Sequence, residues 1–160
     1  MHQVYLLLGS NLGSREALLA DCRKLLEENI GRIINASSLY ETASWGKQDQ
    51  PPFINQVLLV ESKLAAHQIL KQIIKIERLL GRVRVEKWTA RTIDIDILFY
   101  DDEIIDKPDL KVPHPFLHLR KFTLEPLIEL QPNLFHPVLK QTITELYRRL
   151  SDTLSVKRIN

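Results

Sequence analysis

The sequence has one cysteine, one methionine and only five glycines in 160 residues. A single cysteine rules out an intrachain disulfide framework and any zinc site built from several thiolates. The expectation is a reducing compartment, the cytoplasm. Five glycines leave little for a glycine-rich phosphate loop, and neither G-x-x-x-x-G-K-[ST] nor G-x-G-x-x-G occurs. Long apolar runs are missing too. The run Val4 to Leu8 near the start falls far short of the ~20 residues a membrane-spanning helix needs. No basic stretch precedes it and no small-residue cleavage site follows, so it does not read as a signal peptide. Strong charge of one sign is also absent. The 22 Lys plus Arg nearly balance 20 Asp plus Glu, which argues against binding nucleic acid by overall charge. With no repeat, linker or low-complexity segment, and 44% apolar residues, a single domain over 1–160 is expected.

What is present falls into alternating elements. Val4–Leu8 reads as a fully buried strand closed by Gly9-Ser10-Asn11. Ser14 can cap a helix whose stripe of Leu18, Cys22, Leu25 and Leu26 runs to about Asn29, with Gly31 as its stop. Cys22 lies on that stripe and reads as a core residue, not a nucleophile. Residues 32–41 and Phe53–Glu61 read as strands. Between the last two lies the polar loop from Thr42 to Pro52. A second helix spans about Ala66 to Leu80 on Ile69, Ile73, Ile76 and Leu80. Residues 82–92 are highly charged, Ile93–Tyr100 is an alternating strand, and Asp101-Asp102-Glu103 is an acidic turn. Helices are expected near 117–130 and 140–150, limited by prolines 113, 115, 126, 132 and 137, with a frayed tail after Ser151. This order predicts an α+β fold: a ferredoxin-like split βαβ sandwich, mostly antiparallel, with helices packed on the sheet and C-terminal helical additions.

The sharpest chemical feature is Arg91-Thr92-Ile93-Asp94-Ile95-Asp96-Ile97. On a strand, residues i and i+2 share a face and lie roughly 6.6 Å apart. Asp94 and Asp96 therefore point one way while the isoleucines point to the core. Two neighbouring carboxylates repel, and a hard cation such as Mg²⁺ relieves that. An exposed acidic strand face is the competing explanation, but aspartate is disfavoured in strands. Just upstream, Lys71, Lys75, Arg78, Arg82, Arg84, Lys87 and Arg91 meet only Glu77 and Glu86, a net +5 within the window 71–91. A solvated basic helix end explains the window alone. Beside two aspartates, it has the composition of a site for a metal–polyphosphate complex. Trp45, Phe53 and Asn55 could stack a flat heterocycle and read its edge, although Phe53 could equally be core. His2, His67, His118 and His136 show no metal-ligand spacing.

The chain resembles the 6-hydroxymethyl-7,8-dihydropterin pyrophosphokinases along nearly its whole length. The resemblance rests on Gly9-Ser10-Asn11-Leu12-Gly13, Tyr40-Glu41-Thr42 with Gly46, and Phe53-x-Asn55. It continues through Glu77 to Arg84, Trp88, Arg91-Thr92-Ile93-Asp94-Ile95-Asp96 and Val112-Pro113-His114. It implies transfer of pyrophosphate from ATP to the pterin hydroxymethyl group, giving AMP and the pterin diphosphate. Asp94 and Asp96 would hold two Mg²⁺ ions, and Arg82 and Arg91 would stabilise the transferring group. Arg84, Lys87, Trp88, His114 and Arg120 would contact ATP, with Leu70, Glu77 and Ile97 around the adenosine. The pterin would lie between Phe53 and Phe122, its edge read by Asn55 and by backbone groups of Thr42 and Trp45. Ala43-Ser44, Lys87 and Pro115 depart from residues common in the family. A monomer that binds neither membrane nor nucleic acid is expected. Two other readings fit parts of the sequence. One is an RNA-binding domain of the same scaffold, which would need exposed aromatics on the sheet. The other is a different metal-dependent nucleotide transferase, which would not need Phe53, Asn55 and Phe122.

Overall fold

The computed structural model describes residues 1–11, 13–42, 51–81, 93–152 and 154–159. The apolar run near the start is the middle of β1 (His2–Ser10), buried from Val4 onward. It takes the centre of an antiparallel sheet, between β4 (Phe53–Ser62) and β5 (Asp94–Tyr100). Two helices cover the first face. In α1 (Arg15–Asn29), Leu19, Cys22 and Leu26 turn inward, and in α2 (Ala66–Leu79) so do Ile69, Ile73 and Ile76. They meet Val4, Leu6 and Leu8 of β1 in one core. Burial pushes the Cys22 thiol up to about 12, as suits a core side chain.

On the second face the C-terminal helices pack over one part of the sheet. Tyr5, Leu7, Val57, Leu98 and Phe99 pack there under a short 3-10 turn (Leu117–Leu119), α3 (Lys121–Leu130) and α4 (Ile143–Arg148). The β1–β5 register places Leu6 opposite Ile97 and Tyr5 opposite Phe99, so Leu98 is an extra residue on β5. That bulge turns Leu98 and Phe99 to the same core, while Ile93, Ile95 and Ile97 face the other.

Several expectations are corrected. The strand expected over 32–41 is two strands, β2 (Gly31–Ala36) and β3 (Tyr40–Thr42), each paired with a different end of β4. Ser37 makes the break. Its N–H donates to Val57 O at 2.9 Å, and its hydroxyl accepts from Val57 N at 3.0 Å. A side chain thus takes a rung that backbone would otherwise fill. Gly31 opens β2 instead of stopping α1, which ends at Asn29 with Ile30 as its cap. The helix expected over 117–130 is interrupted at Arg120, whose backbone is extended, and the one over 140–150 shortens to α4. Two small hairpins were not foreseen: β6 (Ile105–Lys107) with β7 (Leu110–Val112), and β8 (Phe135–His136) with β9 (Gln141–Thr142). The tail does not simply fray, because β10 (Val156–Arg158) pairs with β3 and Ile159 N donates to Leu39 O at 3.0 Å.

His136 makes the fold sensitive to acid. It packs edge-on against Phe99 at 5.7 Å, and its Nδ1 accepts from Val138 N at 3.2 Å and Leu139 N at 3.0 Å. Burial and the nearby His118 push its pKa from 6.5 down to about 4. The unfolded chain therefore binds more protons in that window, so this stability is complete above about pH 6.5 and is lost as pH falls toward 4. The urea midpoint is expected to drop between about pH 7 and pH 5. His136→Asn should flatten the slope only partly, because burial and Arg120 likewise push His114 down to about 4.

Candidate active site

The strand ends at and beyond the edge of the C-terminal helices bring the expected residues together. Across β4, β1 and β5, Asn55 opposes Gly9 and Gly9 opposes Asp94; one step along, Val57, Leu7 and Asp96 line up the same way. Directly opposed residues share a face. Asp94 and Asp96, both half-buried, therefore lie on the same face as Asn55. At the usual strand spacing the backbones of Asn55 and Asp94 stand about 10 Å apart, and the residue between them has no side chain.

On the β4 side, Thr42 is 2% exposed and Asn55 is 4% exposed. Thr42 Oγ1 donates to Asn55 Oδ1 at 3.1 Å, and Asn55 Nδ2 donates to Leu8 O at 3.4 Å. Phe53 is half-buried at the start of β4, and Phe122 is half-buried at the start of α3 against the second core. The Arg120 guanidinium lies 5.5 Å from the Phe122 ring centre and 5.4 Å from that of Phe116. Trp45 lies outside the described residues.

On the β5 side, a cavity of about 210 Å³ is lined by Leu70, Asp96, Ile97, Lys111, His114 and Pro115, among others. Four of these, Leu70, Asp96, Ile97 and His114, are expected nucleotide or metal residues. Two neighbours complete the outer edge of β5. His114 N donates to Leu98 O at 3.0 Å, and buried Glu77 accepts from Ile95 N at 3.0 Å. The Glu77 carboxylate thus serves the strand's backbone, whatever else it touches. His114 Nδ1 accepts from Phe116 N at 3.2 Å. With its low pKa the ring is neutral, so the proton sits on Nε2. Arg82, Arg84, Lys87, Trp88 and Arg91 lie outside the described residues, as do Ala43 and Ser44.

Some site-edge residues were not foreseen. Lys111 reaches the cavity from the β6–β7 hairpin, where Asp106 holds it. Arg15 pairs with Glu41 at 3.0 Å and donates to Pro52 O at 2.8 Å, while buried Asn11 donates to Pro51 O at 3.3 Å. The Gly9-Ser10-Asn11 stretch thereby fastens the end of the polar loop beside the site. At the opposite end of β1 and β5, ligand atoms of His2, Asp101 and Glu103 come within 4.8 Å of one another. That grouping was missed because it joins residues about a hundred apart, and His2 Nδ1 already pairs with Asp101 at 2.7 Å.

Residues 5–132 match the profile of the 7,8-dihydro-6-hydroxymethylpterin-pyrophosphokinase family. The chain belongs to this family. It is 43% identical over 145 residues to the 2-amino-4-hydroxy-6-hydroxymethyldihydropteridine pyrophosphokinase of Aquifex aeolicus, covering 91% of this chain and 90% of that one. It is 37% identical over 158 residues to the Haemophilus influenzae protein of the same name, covering 98% of each. Among solved structures it resembles a Plasmodium falciparum HPPK-DHPS triple mutant with TM-score 0.76 at 20% identity, over 92% of this chain. A second, an A437G form, gives 0.74 at 20% identity. The chain spans less than half of those proteins, 43% and 45% respectively, and the likeness concerns the fold alone. Among the described residues, no helix is long and apolar enough to cross a membrane.

Proposed function

We propose that this pyrophosphokinase works at the end of its second sheet face beyond the C-terminal helices, with the pterin against Thr42, Phe53 and Asn55 and the ATP phosphates against Asp94 and Asp96. The reaction is that of the family: an ATP-dependent transfer of pyrophosphate to 6-hydroxymethyl-7,8-dihydropterin in folate biosynthesis. In bond terms, the hydroxymethyl oxygen attacks the β-phosphorus and the bond from that phosphorus to the oxygen bridging the α-phosphate breaks. AMP leaves, and the hydroxyl proton passes to solvent. The alcohol is itself the nucleophile, so no side chain need form a covalent intermediate. The protein's work is positioning and charge stabilisation.

The observation that carries this reading is the register Asn55–Gly9–Asp94. It joins an amide suited to a heterocycle edge and a carboxylate suited to a cation–phosphate complex on one face. The spacing suits two substrates held side by side. Asp94 and Asp96 offer hard oxygen donors on that face, the kind Mg²⁺ takes, and two ions are part of the proposal. When bound, magnesium would neutralise phosphate charge and favour the ionised alcohol. Arg82 and Arg91 are assigned to the transferring group, and Arg84, Lys87, Trp88, His114 and Arg120 to ATP. Leu70, Glu77 and Ile97 are assigned to the adenosine, and Phe122 and Trp45 to the pterin. For His114 the structure adds a reason: a neutral ring with its proton on Nε2 can donate to an anion without changing charge. A cytoplasmic monomer completes the reading, supported by the lone buried Cys22. The test is a coupled assay with ATP, Mg²⁺ and 6-hydroxymethyl-7,8-dihydropterin. Pterin-dependent AMP is expected, and ADP in its place would contradict the assignment.

A further inference from the structure

An amide that reads a heterocycle must point the right way round. Asn55 lies in a buried strand, and three neighbours bear on its direction. Leu8 O, which can only accept, faces Nδ2 at 3.4 Å. The Thr42 hydroxyl donates to Oδ1 at 3.1 Å. Gly9 leaves the amide its room, since a Cβ there would sit 2.7 Å from Nδ2. Rotating the amide by half a turn would set Oδ1 against Leu8 O, two acceptors face to face in a buried site, a costly arrangement. Leu8 O therefore selects the orientation, and the Thr42 hydroxyl, able to donate or accept, secures the oxygen that this orientation turns toward it.

We infer that Thr42 is a positioning residue whose side-chain hydroxyl, acting through Asn55, holds in place the amide that Leu8 O orients, and with it the hydrogen-bonding pattern this site presents to its heterocycle. An amide has two N–H donors and an oxygen with two lone pairs. One of each is engaged by Leu8 O and Thr42. One N–H and one lone pair are left for a ligand, the donor and acceptor that a lactam edge, a carbonyl beside a ring N–H, would meet. A lactim tautomer or an edge of opposite pattern would meet donor against donor. The inference rests on the pterin reading above but concerns the side chain of Thr42, which touches Asn55 and need not touch the substrate.

The test compares Thr42→Val, which keeps the shape and removes the donor, with Thr42→Ser, which keeps the donor. Thr42→Val is expected to raise KM for the pterin about tenfold, the factor of one ordinary hydrogen bond, with KM for ATP unchanged. Thr42→Ser should restore the pterin KM to within about twofold of wild type, since it keeps that bond. An unchanged pterin KM in Thr42→Val would overturn the inference. So would a parallel rise in both KM values with a fall in Tm, which a merely structural role would give. A second readout needs no substrate. The side-chain amide resonances of Asn55, identified by their loss in Asn55→Asp, should shift in Thr42→Val and return in Thr42→Ser. If they stay in place, the inference fails even where the enzyme is active. If they shift while the wild type makes no pterin-dependent AMP, it is the substrate reading that fails.

Discussion

Asp96→Ala is expected to lower pterin-dependent AMP release by on the order of a thousandfold, the scale seen when a group aimed at transition-state charge is removed. Asp96 is half-buried on β5 and lines the cavity it shares with His114 and Leu70. Its neighbours Ile95 and Ile97 carry the packing on the other face. The fold should therefore survive, with an unchanged far-ultraviolet spectrum and a Tm within a few degrees. Asp96→Asn tests charge against shape, because it keeps the size and loses the anion. It should be nearly as inactive as Asp96→Ala, since an amide is a weak ligand for a hard cation. Near-normal AMP release from either variant at saturating Mg²⁺ would remove Asp96 from the machinery.

The largest loss of stability is expected from Gly31→Ala. A Cβ at this position would collide with Glu61 O and sit 2.9 Å from Glu61 C, both backbone atoms of the paired strand. No rotamer change can relieve that contact, so β2 must move away from β4 and the Gly31–Ser62 pairing must open. The hydrogen bond from Ser62 Oγ to Ile30 O at 2.7 Å is strained by the same movement. A cost of about 3 kcal/mol or more follows, a large part of the roughly 5–15 kcal/mol that holds such a domain together. Urea denaturation of the purified variant, or its failure to accumulate as soluble protein, is the measure. A stability within about 0.5 kcal/mol of wild type, the ordinary range for harmless surface changes, would show that β2 and β4 are not so close.

Local pattern was readable in the sequence, and partnership was not. Alternation along 93–97 placed Ile93, Ile95 and Ile97 in the core with Asp94 and Asp96 opposite, because a side-chain period of two depends on nothing outside the strand. The helical stripes through Cys22 and Ile73 were readable for the same reason. Ser37 was not, since its role as a substitute rung depends on where Val57 lies. Neither was β10, three residues whose alternation is too short to stand out and whose stability comes from the open edge of β3. The register that sets Asn55, Gly9 and Asp94 in one row is a property of three strands, not of any one segment. Gly31 shows the same limit in one residue. A glycine after a helical stripe looks like a stop signal, whereas here it permits close approach of two backbones.

The uneven cover of the second sheet face links what the enzyme binds to how well it resists heat. Tyr5, Leu7, Val57 and Phe99 belong to the core under the C-terminal helices, while Asp94 and Asp96, level with Gly9 and Leu7 on the outer strand of the same face, are only half-buried. On the proposed reading, substrates seated there would act as a removable part of the tertiary structure. By mass action, a ligand at a hundred times its Kd adds about 2.7 kcal/mol to the folded state. The working stability of this enzyme would then be a function of the metabolite pool around it, and a value measured on the bare chain would be its lower bound.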